Sequence, residues 1–432
     1  MLKTGSQPES RKSGTKNNYL MKETEISQEH TQATGAAINP ALPQNRVASV
    51  DVYRGFVMLL MMAEVLSLQD VAKALPDSSF WQFIGFNQSH VPWTWLSLHD
   101  MIQPSFTFLV GVVLPYSIAS RKNKGAGFGN ILGHTIKRSF ILIFLGIFLR
   151  SMHSQQTFWT FEDTLTQIGL GYTFLVLISL YSQRVQIGIL VFILVAYWLA
   201  FALYPLPGTD FNYTLAGVTA NWEHNLSGLA AHWNKNTNFA WAFDQWFMNI
   251  FPREKPFLFN SGGYSTLSFI PTLGTMVLGL LAGNILNSSV TTRKKLNSFA
   301  LYGICLILLG IILHVAGINP IVKRIWTPAW TIFSGGICFL FLAMFYGLID
   351  MKDRKKGTFF LMVIGVNSIA AYVIADGGMR NVINDSLFIH LGKNFDQIFG
   401  PAYATLISGG LVLFFEWLIL YWMFKKKLFI KI

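Results

Sequence analysis

Apolar runs of about 20 residues recur along the whole chain, and no other feature restricts its fold as much. About 20 residues of helix cross the hydrocarbon of a bilayer. Inside lipid the backbone must satisfy its own hydrogen bonds, so such runs are helices and not open strands. The composition agrees. Of 432 residues, 52% are hydrophobic and only 12% are charged, with a mean hydropathy of +0.42. A soluble domain carries about 25% charge. The runs predict ten helices in an all-α, polytopic transmembrane bundle: Val47 to about Leu68, Met101–Ser120, Ser139–Met152, Leu165–Tyr181, Gln186–Tyr204, Thr266–Leu286, Ser298–Gly317, Ala329–Ile349, Thr358–Asp376 and Ala402–Phe424.

Two stretches fall outside the bundle. Residues 1–45 are polar and aperiodic and predict a disordered tail ahead of a membrane domain over 46–432. Residues 205–265 form the longest loop. Its Trp and Phe residues predict that it packs, with a surface helix over Phe239–Phe251.

Charge sets the expected orientation. The net charge of +12 would suit a nucleic-acid partner in a soluble protein. Here 23 of the 33 Lys and Arg fall in alternate segments starting from the N-terminus, and 8 fall in the loops between them. The positive-inside rule then places both termini in the cytoplasm and the 69–98 and 205–265 loops on the opposite face. The partner implied is a lipid bilayer and not a nucleic acid. The two cysteines, Cys305 and Cys338, lie in separate apolar runs and predict neither a disulfide framework nor a thiolate metal site.

The chemistry concentrates in one polar entry. Ser89-His90-Val91-Pro92-Trp93 leads through Leu98-His99-Asp100 into the second helix. An imidazole titrates near neutrality and serves as base, acid or nucleophile. A carboxylate ten residues on could orient it. The plainer roles are a helix-capping histidine stacked on Trp93 or Trp95, and an N-terminal aspartate favoured by the helix dipole. His99 is the weaker candidate, since a helix would point it to another face. Asp51 and Arg54, three apart at the mouth of the first helix, can pair or can anchor a charged ligand. Gln167 and Asn367 are polar groups within spans, suited to interhelical hydrogen bonds or to lining a cavity. Arg121, Lys124 and Arg138 could hold phosphates, although the positive-inside rule accounts for them without a ligand. No phosphate loop, zinc helix or dinucleotide fingerprint occurs, so no metal is expected and ATPase and metalloprotease readings have no support.

The entry stretch resembles the heparan-α-glucosaminide N-acetyltransferase family of membrane enzymes and its uncharacterised bacterial relatives. The likeness rests on Ser49-Val50-Asp51-Val52-Tyr53-Arg54-Gly55 and on His90, Asp100, Pro104 and Phe106 at the family's spacing. Thr166-Gln167-Ile168-Gly169, Ser268-Phe269-Ile270-Pro271, Leu278-Gly279 to Gly283 and Gly365-Val366-Asn367-Ser368 are similar to further family segments. The resemblance implies an acetyl-CoA co-substrate on the cytoplasmic side and an amino sugar or cell-envelope glycan acceptor on the other. It implies that His90, paired with Asp100, either carries the acetyl group or deprotonates the acceptor. It also implies that Asp51, Arg54, Trp93, Gln167 and Asn367 line the substrate path, that Arg121, Lys124 and Arg138 meet the CoA phosphates, and that the chain sits in a bacterial inner membrane. Tyr264 and Ala375-Asp376 depart from the family, where glutamate and His-Glu are usual, and this bears on the acceptor. A transporter or flippase of sugars or lipid-linked sugars would share the ten helices and central polar groups. It would tolerate loss of His90 and need no CoA. A homodimer is compatible with the sequence, though no pattern requires one.

Overall fold

The computed structural model describes residues 47–352 and 357–430, so the tail expected over residues 1–45 lies outside it. Among the described residues all regular elements are helices, and a lone antiparallel bridge joins Thr94 to Val322. In chain order the α-helices are α1 (Ala48–Met62), α2 (Leu68–Ala74), α3 (Ser79–Asn87), α4 (Ile102–Asn123), α5 (Phe128–Ser151), α6 (Thr164–Ile178), α7 (Gln183–Ala202), α8 (Phe239–Phe247), α9 (Phe269–Asn287), α10 (Thr292–Val315), α11 (Pro328–Phe345), α12 (Phe359–Val366), α13 (Ser368–Asp376), α14 (Met379–Leu391) and α15 (Ala404–Lys425). Seven segments, built on α4, α5, α7, α9, α10, α11 and α15, are long and apolar enough to cross a membrane. Two bent pairs also qualify when each is taken as one span: α1 with α2, at 44°, and α12 with α13, at 83°. The remaining expected span, α6, is apolar but shorter, at 15 residues or about 22 Å. The protein is an all-α, multi-pass integral membrane protein.

The sequence reading and the structure part in three places. The basic stretch 121–138 is not a loop. α4 continues to Asn123 and α5 begins at Phe128, so the turn is only a few residues long. Hydropathy falls at the first charge, but the i→i−4 ladder continues as long as the long basic side chains can reach water. The 69–98 region likewise holds two short helices, α2 and α3, packed as a hairpin. Asn367 does not sit in an unbroken helix. It occupies the break between α12 and α13, with φ −120°.

The seam that fixes the bundle runs between α4 and α9. A Cβ at Gly111 would come within 2.0 Å of the Met276 carbonyl oxygen, one at Gly279 within 1.9 Å of the Phe108 oxygen, and one at Gly283 within 2.4 Å of the Val112 oxygen. The two backbones therefore touch along three turns, a packing that hydrogen-only side chains permit. The 205–265 region packs over one end. Trp233, Phe201 and Tyr197 form a buried cluster with Trp93, Val322 and Ile325, and α8 lies within the stretch expected to form a surface helix.

Candidate active site

The His90 loop is tied down before any chemistry is considered. Gln88 accepts a hydrogen bond from Leu68 N (2.5 Å) and donates to the Ala63 carbonyl (2.6 Å), fastening the loop to the end of α1. Asn87 accepts from Leu98 N at 3.2 Å. Pro92 and Trp93 turn the chain inward. The Trp93 indole is buried and donates to the Trp233 carbonyl at 3.1 Å. Next comes the bridge to a second loop, residues 316–327, with Trp95 N donating to the Ile321 carbonyl at 3.1 Å. That second loop is held as firmly. Asn319 accepts from Ala329 N at 2.7 Å, Thr327 caps α11, and Tyr197 donates to the Ile325 carbonyl at 2.9 Å.

These two loops bring together groups far apart in sequence. His90 Nδ1 lies 2.7 Å from Asp100 Oδ1. Lys323 Nζ lies 3.1 Å from the same oxygen and 3.2 Å from His90 Nδ1. Asp100 Oδ2 accepts from Val91 N (3.2 Å) and Ser97 N (3.1 Å), with Ser97 Oγ at 3.1 Å. The side chains of Asp100 and Lys323 retain 1% and 6% exposure, against 38% for His90. The imidazole therefore has one edge on a buried ion pair and the rest toward solvent. Burial pushes His90 below its usual 6.5, and Lys323 and Arg324 push the same way against the Asp100 hydrogen bond. At neutral pH the ring is uncharged, the form that a base or nucleophile requires.

Around this core, the His99 ring centroid lies 4.6 Å from that of His90, and the Tyr264 ring lies 6.4 Å away on another side. The short 3-10 turn His99–Met101 ahead of α4 puts His99 on the same side as His90, where a regular helix would have turned it away. Arg324 sits over the Tyr264 ring at 5.1 Å and donates to the carbonyls of Gly262 (2.7 Å) and Val91 (3.1 Å). Gly263 has φ +77°, and a Cβ there would meet the Trp93 ring at 2.8 Å, so the turn that presents Tyr264 needs glycine on both counts.

The other expected residues lie elsewhere. Trp93 is core, not an exposed lining residue. Gln167 is buried and donates to the Phe161 (2.7 Å) and Thr266 (3.3 Å) carbonyls, joining α6 to the start of the α9 segment. Asp51 and Arg54 approach to 3.3 Å near the start of α1, the end away from the His90 loop. Asn367 donates to the Leu428 carbonyl and accepts from Ile430 N at that same far end. Arg121 and Arg138 meet there in a small cleft with His134 and Tyr172, whose lining carries no carboxylate. Arg138 donates to the Tyr172 hydroxyl at 3.0 Å, and its guanidinium lies 4.5 Å from that ring's centroid. Lys124 stays exposed in the turn, outside the cleft.

Lys323 and Arg324 escaped the sequence reading. The signal was present: two adjacent cations in a short loop on the face that is otherwise poor in them. Among the described residues no cluster of three or more His, Cys, Asp or Glu could hold a metal ion.

No family model matches the chain. Among curated proteins it is similar to human heparan-alpha-glucosaminide N-acetyltransferase, with 24% identity over 428 residues, covering 91% of this chain and 60% of the relative. The mouse protein of the same name is 24% identical over 424 residues, covering 90% and 61%. The chain thus spans about three-fifths of the length of the curated relatives it matches, and it is a distant relative of that family.

Proposed function

We propose that this protein is a membrane-embedded acetyltransferase that moves an acetyl group from acetyl-CoA to the amine or hydroxyl of a sugar at the His90 end. The observation that carries the reading is the His90–Asp100 pair: a neutral imidazole, partly exposed, held at 2.7 Å by a buried carboxylate. A half-exposed imidazole held by a buried carboxylate suits a base–orienter pair, and distant kinship to an N-acetyltransferase supports the same choice.

His90 serves as the reacting base or carrier, and Asp100 orients it. As base, Nε2 takes the proton of the acceptor amine while the new C–N bond forms. As carrier, Nε2 itself bonds to the acetyl carbon and passes the acetyl group on. Asp100 holds the Nδ1 proton in both routes. The donor supplies a thioester whose C–S bond breaks as the acetyl carbon is attacked. We assign its phosphates to the basic surface around Arg121, His134 and Arg138 at the far end, where the lining holds no carboxylate. With that end cytoplasmic, as the charge distribution suggests, donor and acceptor approach from opposite faces. The acceptor class, an amino sugar or cell-envelope glycan in a bacterial inner membrane, comes from the family likeness. Tyr264 stands beside His90 and contributes to acceptor choice.

The test uses purified full-length protein in detergent or vesicles, labelled acetyl-CoA, and a panel of amino sugars and cell-wall fragments, with wild type beside His90→Ala. Label transfer by wild type and none by a folded, CoA-binding mutant is the expected result. Failure of wild type to bind acetyl-CoA would remove the enzyme reading and favour a transporter.

A further inference from the structure

The contact between Lys323 and His90 admits two proton placements. If Lys323 donated to a bare Nδ1, that lone pair would face a carboxylate oxygen at 2.7 Å with no proton between them. If Nδ1 carries the proton, it donates to Asp100 Oδ1, and Lys323 donates to the same oxygen from 3.1 Å. The second arrangement leaves no pair of acceptors in contact. The 3.2 Å approach of Nζ to Nδ1 is then the consequence of two donors sharing one oxygen.

We propose that Lys323 is a positioning residue for His90: by bonding the Asp100 Oδ1 that accepts the Nδ1 proton it holds that oxygen beside the ring, whose Nε2 is left as the reacting nitrogen. Other groups around the ring do not replace it. Arg324 directs its two terminal nitrogens to the carbonyls of Gly262 and Val91. His99 is a neutral-ring neighbour at 4.6 Å, and Tyr264 lies at 6.4 Å. Lys323 alone among these cations touches both members of the pair. Its buried ammonium also opposes a second positive charge on His90, so the ring stays able to accept a proton or an acyl group at pH values where an exposed histidine is already partly charged. For its catalytic consequence, this inference rests on the acetyltransferase reading. For its structural content it does not.

The experiment is a pH titration by nitrogen NMR of full-length protein labelled with 15N-histidine, with His90→Gln assigning the His90 signals. In wild type we expect a protonated Nδ1, a bare Nε2, and a titration midpoint below 6.5. In Lys323→Met the midpoint moves up while Asp100 still holds the proton on Nδ1, and Lys323→Arg returns the midpoint. A wild-type ring protonated on Nε2 overturns the proposal, whatever the variants do. So does a Lys323→Met protein whose midpoint matches wild type. In the transfer assay, the acid limb of the pH–rate profile moves to higher pH in Lys323→Met and returns in Lys323→Arg. A drop in kcat with the limb unmoved would mean that Lys323 only holds the loops together. Absence of transfer by wild type would count against the proposed function and leave the NMR outcomes standing.

Discussion

Lys323 and Arg324 at one end of the bundle, and Arg121 and Lys124 at the other, are held in opposite ways. At the His90 end, Lys323 is almost fully buried against Asp100, and Arg324 is committed to two carbonyls and the Tyr264 ring. At the far end, Lys124 is exposed in a turn, and Arg121 lines a cleft without a carboxylate. Solvated basic residues near a helix end cost little and report topology. A buried lysine is expensive unless it is paired, so one placed on the face that is poor in cations points to function. Position in the bundle, not residue type, separates the two groups. The same formal charge is buried in an ion pair at one end and left without a carboxylate in a small cleft at the other.

Several measurements break or sharpen this contrast. The largest effect belongs to His90→Ala, which should lower acetyl transfer by about 10²- to 10⁴-fold, the range of general acid–base contributions. Retained transfer would move the chemistry away from this end. Asp100→Asn should cost about 10- to 100-fold in kcat, as expected for losing a charged hydrogen bond of ~1.5–3 kcal/mol. Its effect on the KM for acetyl-CoA should be small, because Asp100 lies at the other end from the basic cleft. Arg138→Gln should show the converse, with KM for acetyl-CoA raised by about tenfold and kcat kept. A fall in kcat alone would place the donor elsewhere.

A further contrast can be read in stability. Burial pushes the Asp244 carboxyl, under the 205–265 cap, up to about 7, although it also accepts from Thr266 N at 2.9 Å. The folded protein thus keeps a proton that the unfolded chain releases above its ordinary value of 3.8. That contribution to stability is complete below 3.8 and is lost as pH rises toward 7, with a slope of at most about 1.4 kcal/mol per pH unit. Thermal unfolding should show this slope in wild type and lose it in Asp244→Asn. The smallest effect is that of Lys124→Ala, an exposed residue outside the cleft, which should change acetyl-CoA affinity by less than about twofold.

How much of this was legible in the sequence depends on range. Hydropathy marked ten segments, of which the structure makes, among the described residues, seven spans, or nine with the two bent pairs, and one shorter helix, because membrane burial is a local property of about 20 residues. The spacing of His90 and Asp100 was visible as a pattern, yet their 2.7 Å contact depends on Gln88, Asn87 and the 3-10 turn at His99, which no periodicity announces. Lys323 lies 233 residues from His90, and only the fold brings it near. The helical character of residues 121 and 138 was missed because hydropathy marks where lipid ends, not where the helix does. Trp93 looked like a ligand-facing indole and proved to be the hinge of a buried aromatic cluster, since an aromatic in a loop gives no sign of which side it faces.

The bridge between the His90 loop and residues 321–322 also has a consequence in time. The chain emerges from the ribosome N-terminus first, at about 5–20 residues per second. His90 and Asp100 are therefore made tens of seconds before Lys323, and α4 waits almost as long for the glycine face of α9. Through that interval the site loop has no Lys323 to compensate Asp100 and no partner strand for Thr94. A nascent chain arrested before residue 323 would hold the histidine, the aspartate and the first helices, and still lack the lysine that pairs with the aspartate. The cluster around His90 can thus assemble only after Lys323 is made, with α11 to α15 still to follow.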